Sequence, residues 1–311
     1  MREHTFQDVV DCETVMQYGD VMLFIAKHSW LFTKEGRFIA RLKQINRAWD
    51  VLFMSNNTIF MDGLGDRSYH YVSLETGEVL WSISQKGKRN FAPRKMALSP
   101  CGRKVYYVYS IGEQRYLDTI IPEDKICLTQ RLPLMKGAVC AVFCTPDGKL
   151  GVLRSFMQTN TIHLFDPDNV LQECFVQEVI NDHSAMPVAA DDTHILMSDL
   201  QVIKWRENTA FSLLPEQESK ISKDFFTIMD YDPVRQLLNI RYLKSSSTLI
   251  IDCKSKRIAA HYRPITSGLS GGCVVGDEFW IGTDKGIQKR PFPHMDPYPR
   301  NFLFFFRMKN G

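Results

Sequence analysis

The chain has 311 residues, 44% of them hydrophobic and 23% charged, with a formal net charge of +3. This is the composition of an ordinary globular protein with a sizeable core. The small net charge excludes a protein that coats nucleic acid by bulk electrostatics, and no apolar run reaches the ~18 residues of a membrane-spanning helix.

From the N-terminus, MREHTFQDVVDCETVMQYGD carries acidic residues and no apolar centre, unlike a secretory leader. The eight cysteines, at positions 12, 101, 127, 140, 144, 174, 253 and 273, form no CxxC pair. They read as small buried hydrophobes of a reducing compartment, and the expected location is cytoplasmic.

Along the chain, one phrase recurs: apolar run, tight turn, apolar run. The turns fall at Gly19–Asp20, Asn56–Asn57, Cys101–Gly102, Asp147–Gly148, Asp192–Thr193, Val234–Arg235 and Gly276–Asp277. Gly, Asn and Asp enter left-handed turn conformations at low cost, so these read as hairpins. A second series lies out of phase, at Glu35–Gly36, Thr76–Gly77, Glu123–Asp124, Asp168–Asn169, Glu207–Asn208 and near Ser255. Two hairpins in each unit of roughly 40–46 residues make four strands, the pattern of a β-propeller blade.

The expected fold is therefore all-β: one seven-bladed β-propeller of four-stranded antiparallel blades over 1–311. The blades span about 14–43, 47–83, 94–132, 138–177, 184–215, 224–263 and 268–293. Middle strands covered on both sides read as continuous apolar runs, as in VMLFIA (21–26), VYYVY (105–109) and TLIID (248–252). Innermost strands favour small residues, as at Ala138, Cys140 and Ala141. The seventh unit lacks a fourth strand. Two segments can supply it and close the ring: Thr5–Val10, which is preferred, or Phe302–Arg307.

Individual phrases resemble known propeller repeats. SLETGEVLWSI (73–83) resembles the closing strand pair of quinoprotein-like repeats. EFWIGTDKGIQKR (278–290) resembles the repeats of sensor regulators, and SPCGRKVYYV and TPDGKLGVL resemble the SPDG phrase of WD40 and YVTN-type blades. The WD40 Gly-His and closing Trp-Asp are missing from their places. The resemblance implies the superfamily and its fold, with no cofactor and no one family's activity.

Candidate chemistry is thin. Gly268-Leu269-Ser270-Gly271-Gly272 matches a nucleophile elbow in letters, but a strand follows where that motif needs a helix. Asp182 and His183 lie on the connection between blades four and five, where a paired His and Asp can bind a ligand or move a proton. Asp50, Asp230 and Asp191–Asp192 are the acids that could meet a divalent cation on the channel axis.

The densest charge cluster runs from Gln85 to Lys95 and includes Lys86, Lys88, Arg89 and Arg94. Arg47, Arg67 and Arg115 fall on loops expected at the same face. Together they suit a phosphate, an acidic peptide or another anionic partner. Phe91 alone offers base stacking within the cluster, so nucleic acid is disfavoured. The apolar Phe302–Phe306 reads as a packed strand. The expected function is a non-catalytic intracellular scaffold that binds a protein or peptide through its loop faces, with no catalytic or metal-binding residue assigned. The alternative is a hydrolase or lyase at the channel mouth, with or without a divalent metal.

Overall fold

In a computed structural model, residues 4–63, 65–85, 96–133, 137–156, 159–179, 187–213, 226–232, 235–242, 247–262 and 271–294 are described. Seven sheets follow one another along the chain. Blade one holds β1 (Thr14–Tyr18), β2 (Val21–Ile25), β3 (His28–Thr33) and β4 (Phe38–Asn46). Blade two holds β5 (Ala48–Met54), β6 (Thr58–Gly63), β7 (Ser68–Ser73) and β8 (Val79–Ser84). Blade three holds β9 (Met96–Leu98), β10 (Val105–Ile111), β11 (Gln114–Ile121) and β12 (Ile126–Arg131). Blade four holds β13 (Ala138–Cys144), β14 (Leu150–Phe156), β15 (Thr159–Asp166) and β16 (Asn169–Val179).

Blade five holds β17 (Pro187–Ala190), β18 (His194–Met197), β19 (Gln201–Lys204) and β20 (Thr209–Ser212). Blade six holds β21 (Phe226–Asp232), β22 (Leu237–Tyr242), β23 (Thr248–Asp252) and β24 (Arg257–Tyr262). Blade seven holds β25 (Gly272–Val275), β26 (Glu278–Thr283) and β27 (Gly286–Pro291). The pairings are antiparallel and sequential, and the fold is the seven-bladed β-propeller. Among the described residues no helix is long and apolar enough to cross a membrane.

The hairpins form where turn chemistry demands them. Gly19, Gly36, Gly77, Gly102, Gly148 and Gly276 all have positive φ, and Asn57, Lys125, Asn208, Gln236 and Lys256 do the same work with side chains. Gly77 is required twice over. Its φ is +69°, and a Cβ there would stand 2.0 Å from the Cβ of Ala40.

The chain divides into two compact units, Tyr18–Ser212 and the paired segments Met1–Gln17 and Leu213–Gly311. In the first, apolar clusters fill the seams between successive blades. Met54, Phe60, Tyr69 and Tyr71 of blade two meet Met96, Val105, Tyr107 and Ile120 of blade three. Ala97, Tyr106, Val108 and Leu117 then meet Val139, Val142, Leu150, Val152 and Phe165 of blade four. Ala141, Phe143, Leu153, Ile162 and Leu164 on blade four's other side meet Ile195, Met197, Ile203 and Trp205 of blade five. Middle strands are thus covered on both faces, and β10 is buried from Val105 through Tyr109. The last strands β8 and β12 have an exposed residue at alternate or nearly alternate positions.

In the second unit, Leu237, Ile250, Ala260 and Tyr262 of blade six pack on Phe279 and Ile281 of blade seven. The N-terminal segment docks on blade seven, but not as the strand expected over Thr5–Val10. Phe6–Asp8 is a single 3-10 turn. The Asp8 carboxylate accepts from the Thr5 backbone N–H at 2.8 Å, closing the chain locally in place of a strand ladder. The Phe6 ring meets Trp280 edge-on at 5.1 Å. Asp11 and Cys12 N–H groups donate to the carbonyls of Asp284 and Thr283. The other closing candidate, Phe302–Arg307, lies outside the described residues.

All eight cysteines are free, but Cys101 and Cys174 are exposed, and only Cys12 and Cys273 are fully buried. A Cβ on Gly282 would stand 2.5 Å from the Cys12 carbonyl oxygen and 2.7 Å from its Sγ. Gly282→Val should therefore cost about 1–3 kcal/mol of stability in a urea titration and open the buried Cys12 thiol to a disulfide-exchange reagent. Wild-type stability with Cys12 still protected would contradict this docking.

Candidate functional site

Strand register sorts the loops into two ends. In blade two, Ala48 lies opposite Gly63, Gly63 opposite Ser68, and Ser68 opposite Ser84. Arg47 immediately precedes this row and Arg67 immediately precedes Ser68, so both arginines flank one end of the sheet. Both are exposed, with left-handed φ of 57° and 53°. Their backbones are tied down: Arg47 N–H donates to the Lys27 carbonyl at 3.0 Å, and the Arg67 carbonyl accepts from Gln85 N–H at 2.8 Å.

The carboxylates at this end turn the other way. Asp62 accepts from the Gln85 side-chain amide at 2.7 Å. Asp66 Oδ2 lies 2.6 Å from His70 Nε2, while His70 Nδ1 lies 2.9 Å from Ser82 Oγ. His70 is only 4% exposed. The other Asp66 oxygen is buried with no hydrogen-bond partner, and a Cβ on Gly63 would fall 2.1 Å from it. Only glycine fits there. In blade two Asp62 and Asp66 are drawn inward while Arg47 and Arg67 are exposed, which leaves this end of the blade cationic to an approaching molecule.

The opposite end is latched from blade to blade. Ser55 N–H donates to the Gly102 carbonyl at 3.3 Å. The Asn56 amide donates to Glu123 Oε1 at 2.6 Å, and Arg103 Nε donates to Glu123 Oε2 at 3.0 Å. The Arg103 hydrogen bond, helped by its charge, holds the Glu123 carboxyl below the usual range. Because these turns meet in register, the other ends of blades two and three also lie side by side.

Arg115 lies there, on β11 opposite Ser110 of β10, and it is half-buried. Its Nη2 donates across the seam to the carbonyl of Gly137, just before β13. Arg47 and Arg67 are thus exposed beside strand ends, whereas Arg115, expected on a loop, is a half-buried strand residue toward the same end. Lys86, Lys88, Arg89, Arg94, Asp182, His183 and Ser270 lie outside the described residues.

Two residues that sequence reasoning passed over join Arg115. Arg154 on β14 donates through Nε to His163 Nε2 on β15 at 2.7 Å. The strand sequences LGVLRSF and TNTIHLFD hold other polar residues as well, so only the register of β14 with β15 singles this pair out. Asp50 sits at the start of β5, whereas Asp191 lies in the β17–β18 turn, its Oδ1 taken by Thr193 and His194 N–H groups. Among the described residues no group of three His, Cys, Asp or Glu could hold a metal ion.

Two thiols differ in reactivity. Exposed Cys101 occupies in its turn the place that Asp147 holds in the matching turn of blade four. The Ser99 hydroxyl first, then the Arg103 backbone N–H and nearby Lys104, hold its thiol below the ordinary value. Burial pushes Cys144 up to about 11.

No family model matches the chain, and no curated protein matches it by sequence. Solved structures do match in fold. Virginiamycin B lyase from Staphylococcus aureus superposes with a TM-score of 0.59 at 10% identity, covering 93% of this chain and 97% of that one. The β-propeller domain of Myceliophteria thermophila Cps50 (Swd1) gives 0.63 at 9% identity, covering 91% and 98%. The computationally designed Ika8 protein gives 0.58 at 12% identity, covering 94% and 98%. At such identities the likeness is one of fold alone, and the chain is a seven-bladed β-propeller similar to a lyase, a β-propeller domain and a designed protein alike.

Two outcomes follow. Asp66→Ala should destabilise the protein by about 1–3 kcal/mol, because buried His70 loses its partner; an unchanged denaturation midpoint would contradict that role. At pH 8, iodoacetamide followed by peptide mapping should find Cys101 modified well before Cys144, and equal rates would contradict the assigned environments.

Proposed function

We propose that this propeller is a non-catalytic binding scaffold whose cationic end, marked by Arg47, Arg67 and Arg115, receives an anionic protein or peptide. One observation carries the reading: at that end Arg47 and Arg67 are exposed on left-handed backbone positions while Asp62 and Asp66 are bonded within the blade. A preset backbone lowers the ordering cost of each contact, and a locally positive surface raises the encounter rate with an acidic partner. The basic residues Lys86, Lys88, Arg89 and Arg94 belong, in sequence, to the connection between β8 and β9 and lie outside the described residues. The fold neighbours do not choose between functions. One is a lyase, and another is a structure of the mitotic checkpoint complex, which matches with a TM-score of 0.58 at 10% identity.

A second reading, a hydrolase or lyase, has one observation in its favour, the hydrogen-bonded chain from exposed Ser82 through His70 to Asp66. It would put the chemistry on the edge strand β8 rather than at a channel mouth. If it holds, the purified protein should hydrolyse an activated ester, and Ser82→Ala should abolish the turnover.

The scaffold reading is tested with a fluorescent peptide rich in Asp and Glu. An Arg47→Glu, Arg67→Glu double variant should bind it roughly 5–30-fold more weakly, equivalent to about 1–2 kcal/mol for two exposed charge sites. Its salt dependence should also be shallower. An unchanged affinity and salt slope would remove this end from the account.

A further inference from the structure

Strand register sets the chain that runs from Ser82 through His70 to Asp66. Gln85 N–H donates to the Arg67 carbonyl at 2.8 Å, so Arg67 and Gln85 make a hydrogen-bonded pair at the end of the β7–β8 ladder. Such pairs alternate with non-hydrogen-bonded ones in an antiparallel ladder. The next hydrogen-bonded pair is Tyr69–Ile83, and His70–Ser82 is a non-hydrogen-bonded one. Side chains approach closest in a pair of that kind, and its backbone N–H groups turn away from the partner strand. Among the described residues β8 is the outermost strand of its sheet. The Ser82 N–H therefore points off the edge of the blade, beside an exposed hydroxyl.

The direction of the chain is set as well. A carboxylate only accepts, so Asp66 Oδ2, 2.6 Å from Nε2, keeps the imidazole proton on Nε2. Nδ1 is then left to accept from the Ser82 hydroxyl at 2.9 Å. His70 is buried and Ser82 is exposed, so a shielded base stands behind an open hydroxyl. The second Asp66 oxygen is buried without a hydrogen-bond partner, in a space that Gly63 leaves free. An unsatisfied oxygen of this kind costs stability, and packing alone does not account for keeping it.

We propose that Ser82 is an acyl-acceptor site, modified once per chain by an activated acyl donor such as an aryl ester or a thioester. Ser82 Oγ attacks the acyl carbon, a C–O bond forms, and the bond from that carbon to the leaving aryloxide or thiolate breaks. The hydroxyl proton passes to His70 Nδ1 and stays there, the imidazolium being paired with Asp66. The Ser82 N–H is available to the carbonyl oxygen as that oxygen gains charge. The leaving group departs as an anion and needs no acid, which is why the donor must be activated. The burial of His70 then stops the reaction. An acylated Ser82 covers Nδ1, and water has no approach to the base that would remove the group. The inference rests on the same three residues as the hydrolase reading. It differs in predicting a single event, which is compatible with a scaffold.

The test treats the full chain with p-nitrophenyl acetate and, separately, with a fluorophosphonate probe, from which an activated serine expels fluoride. Nitrophenolate release should stop after about one equivalent, with the acetyl group mapped to Ser82. The probe should label Ser82 and leave Ser84, exposed on the same strand, unlabelled. That comparison is made within the wild-type chain and needs no variant. Ser82→Ala should lose both modifications. His70→Gln, which keeps a hydrogen-bonding side chain but no base, should slow labelling of Ser82 roughly a hundredfold. Continued nitrophenolate release that Ser82→Ala abolishes would overturn the single event and support the hydrolase reading. Ser82 labelled no faster than Ser84 would overturn both. Labelling of Ser82 at the wild-type rate in His70→Gln would overturn the role given to the base, and the proposal with it.

Discussion

Each blade can cover its middle strands only by using both faces at once. A four-stranded sheet with apolar residues on both sides is insoluble alone, and within Tyr18–Ser212 the three seams from blade two to blade five are each filled by an apolar cluster contributed from two sheets. This mutual coverage dictates the register. Blades must stack with like ends together, and the hydrogen bonds from Ser55 to Gly102 and from Asn56 to Glu123 record that alignment. Large side chains close the seams: Trp205 is fully buried and donates through Nε1 to the Asp191 carbonyl at 3.1 Å. Burial of such a ring contributes on the order of 1.5–3 kcal/mol.

Alignment of the ends is what makes a surface out of separate loops. Arg47, Arg67 and Arg115 are far apart in sequence, yet register alone assigns them to one end. The same constraint explains why the two ends differ. At one, turns from neighbouring blades bond to each other, with Arg103 and Glu123 consuming their charges locally. At the other, Asp62 and Asp66 are bonded within the blade by Gln85 and His70, while Arg47 and Arg67 are exposed. Net charge for the whole chain is nearly balanced, so the function lies in how charge is partitioned and not in its total.

The fold was legible because turn residues carry their own conformational physics. Gly19, Asn57, Gly102, Gly148 and Gly276 announce left-handed φ before any contact is known, and apolar runs such as Val105–Tyr109 announce double coverage. The N-terminal segment was not legible as what it is. FQDVV looks strand-like in composition, and the local bond from Thr5 to Asp8 decides for a 3-10 turn. The grouping of Arg47, Arg67 and Arg115 could be read from topology. Arg154 and His163 could not, because a cross-strand pair is defined by register, and a register becomes visible only when two strands are laid side by side. The Ser82–His70–Asp66 chain escaped for the same reason: His70 and Ser82 meet only when β7 pairs with β8.

The central claim is that one end of Tyr18–Ser212 is the contact surface. Hydrogen–deuterium exchange of the protein with and without a saturating acidic peptide addresses it directly. The account predicts slowed exchange at residues 65–68 and 112–115, with the turns at 55–57 and 101–103 unchanged. Protection confined to the 55–57 and 101–103 turns would contradict it.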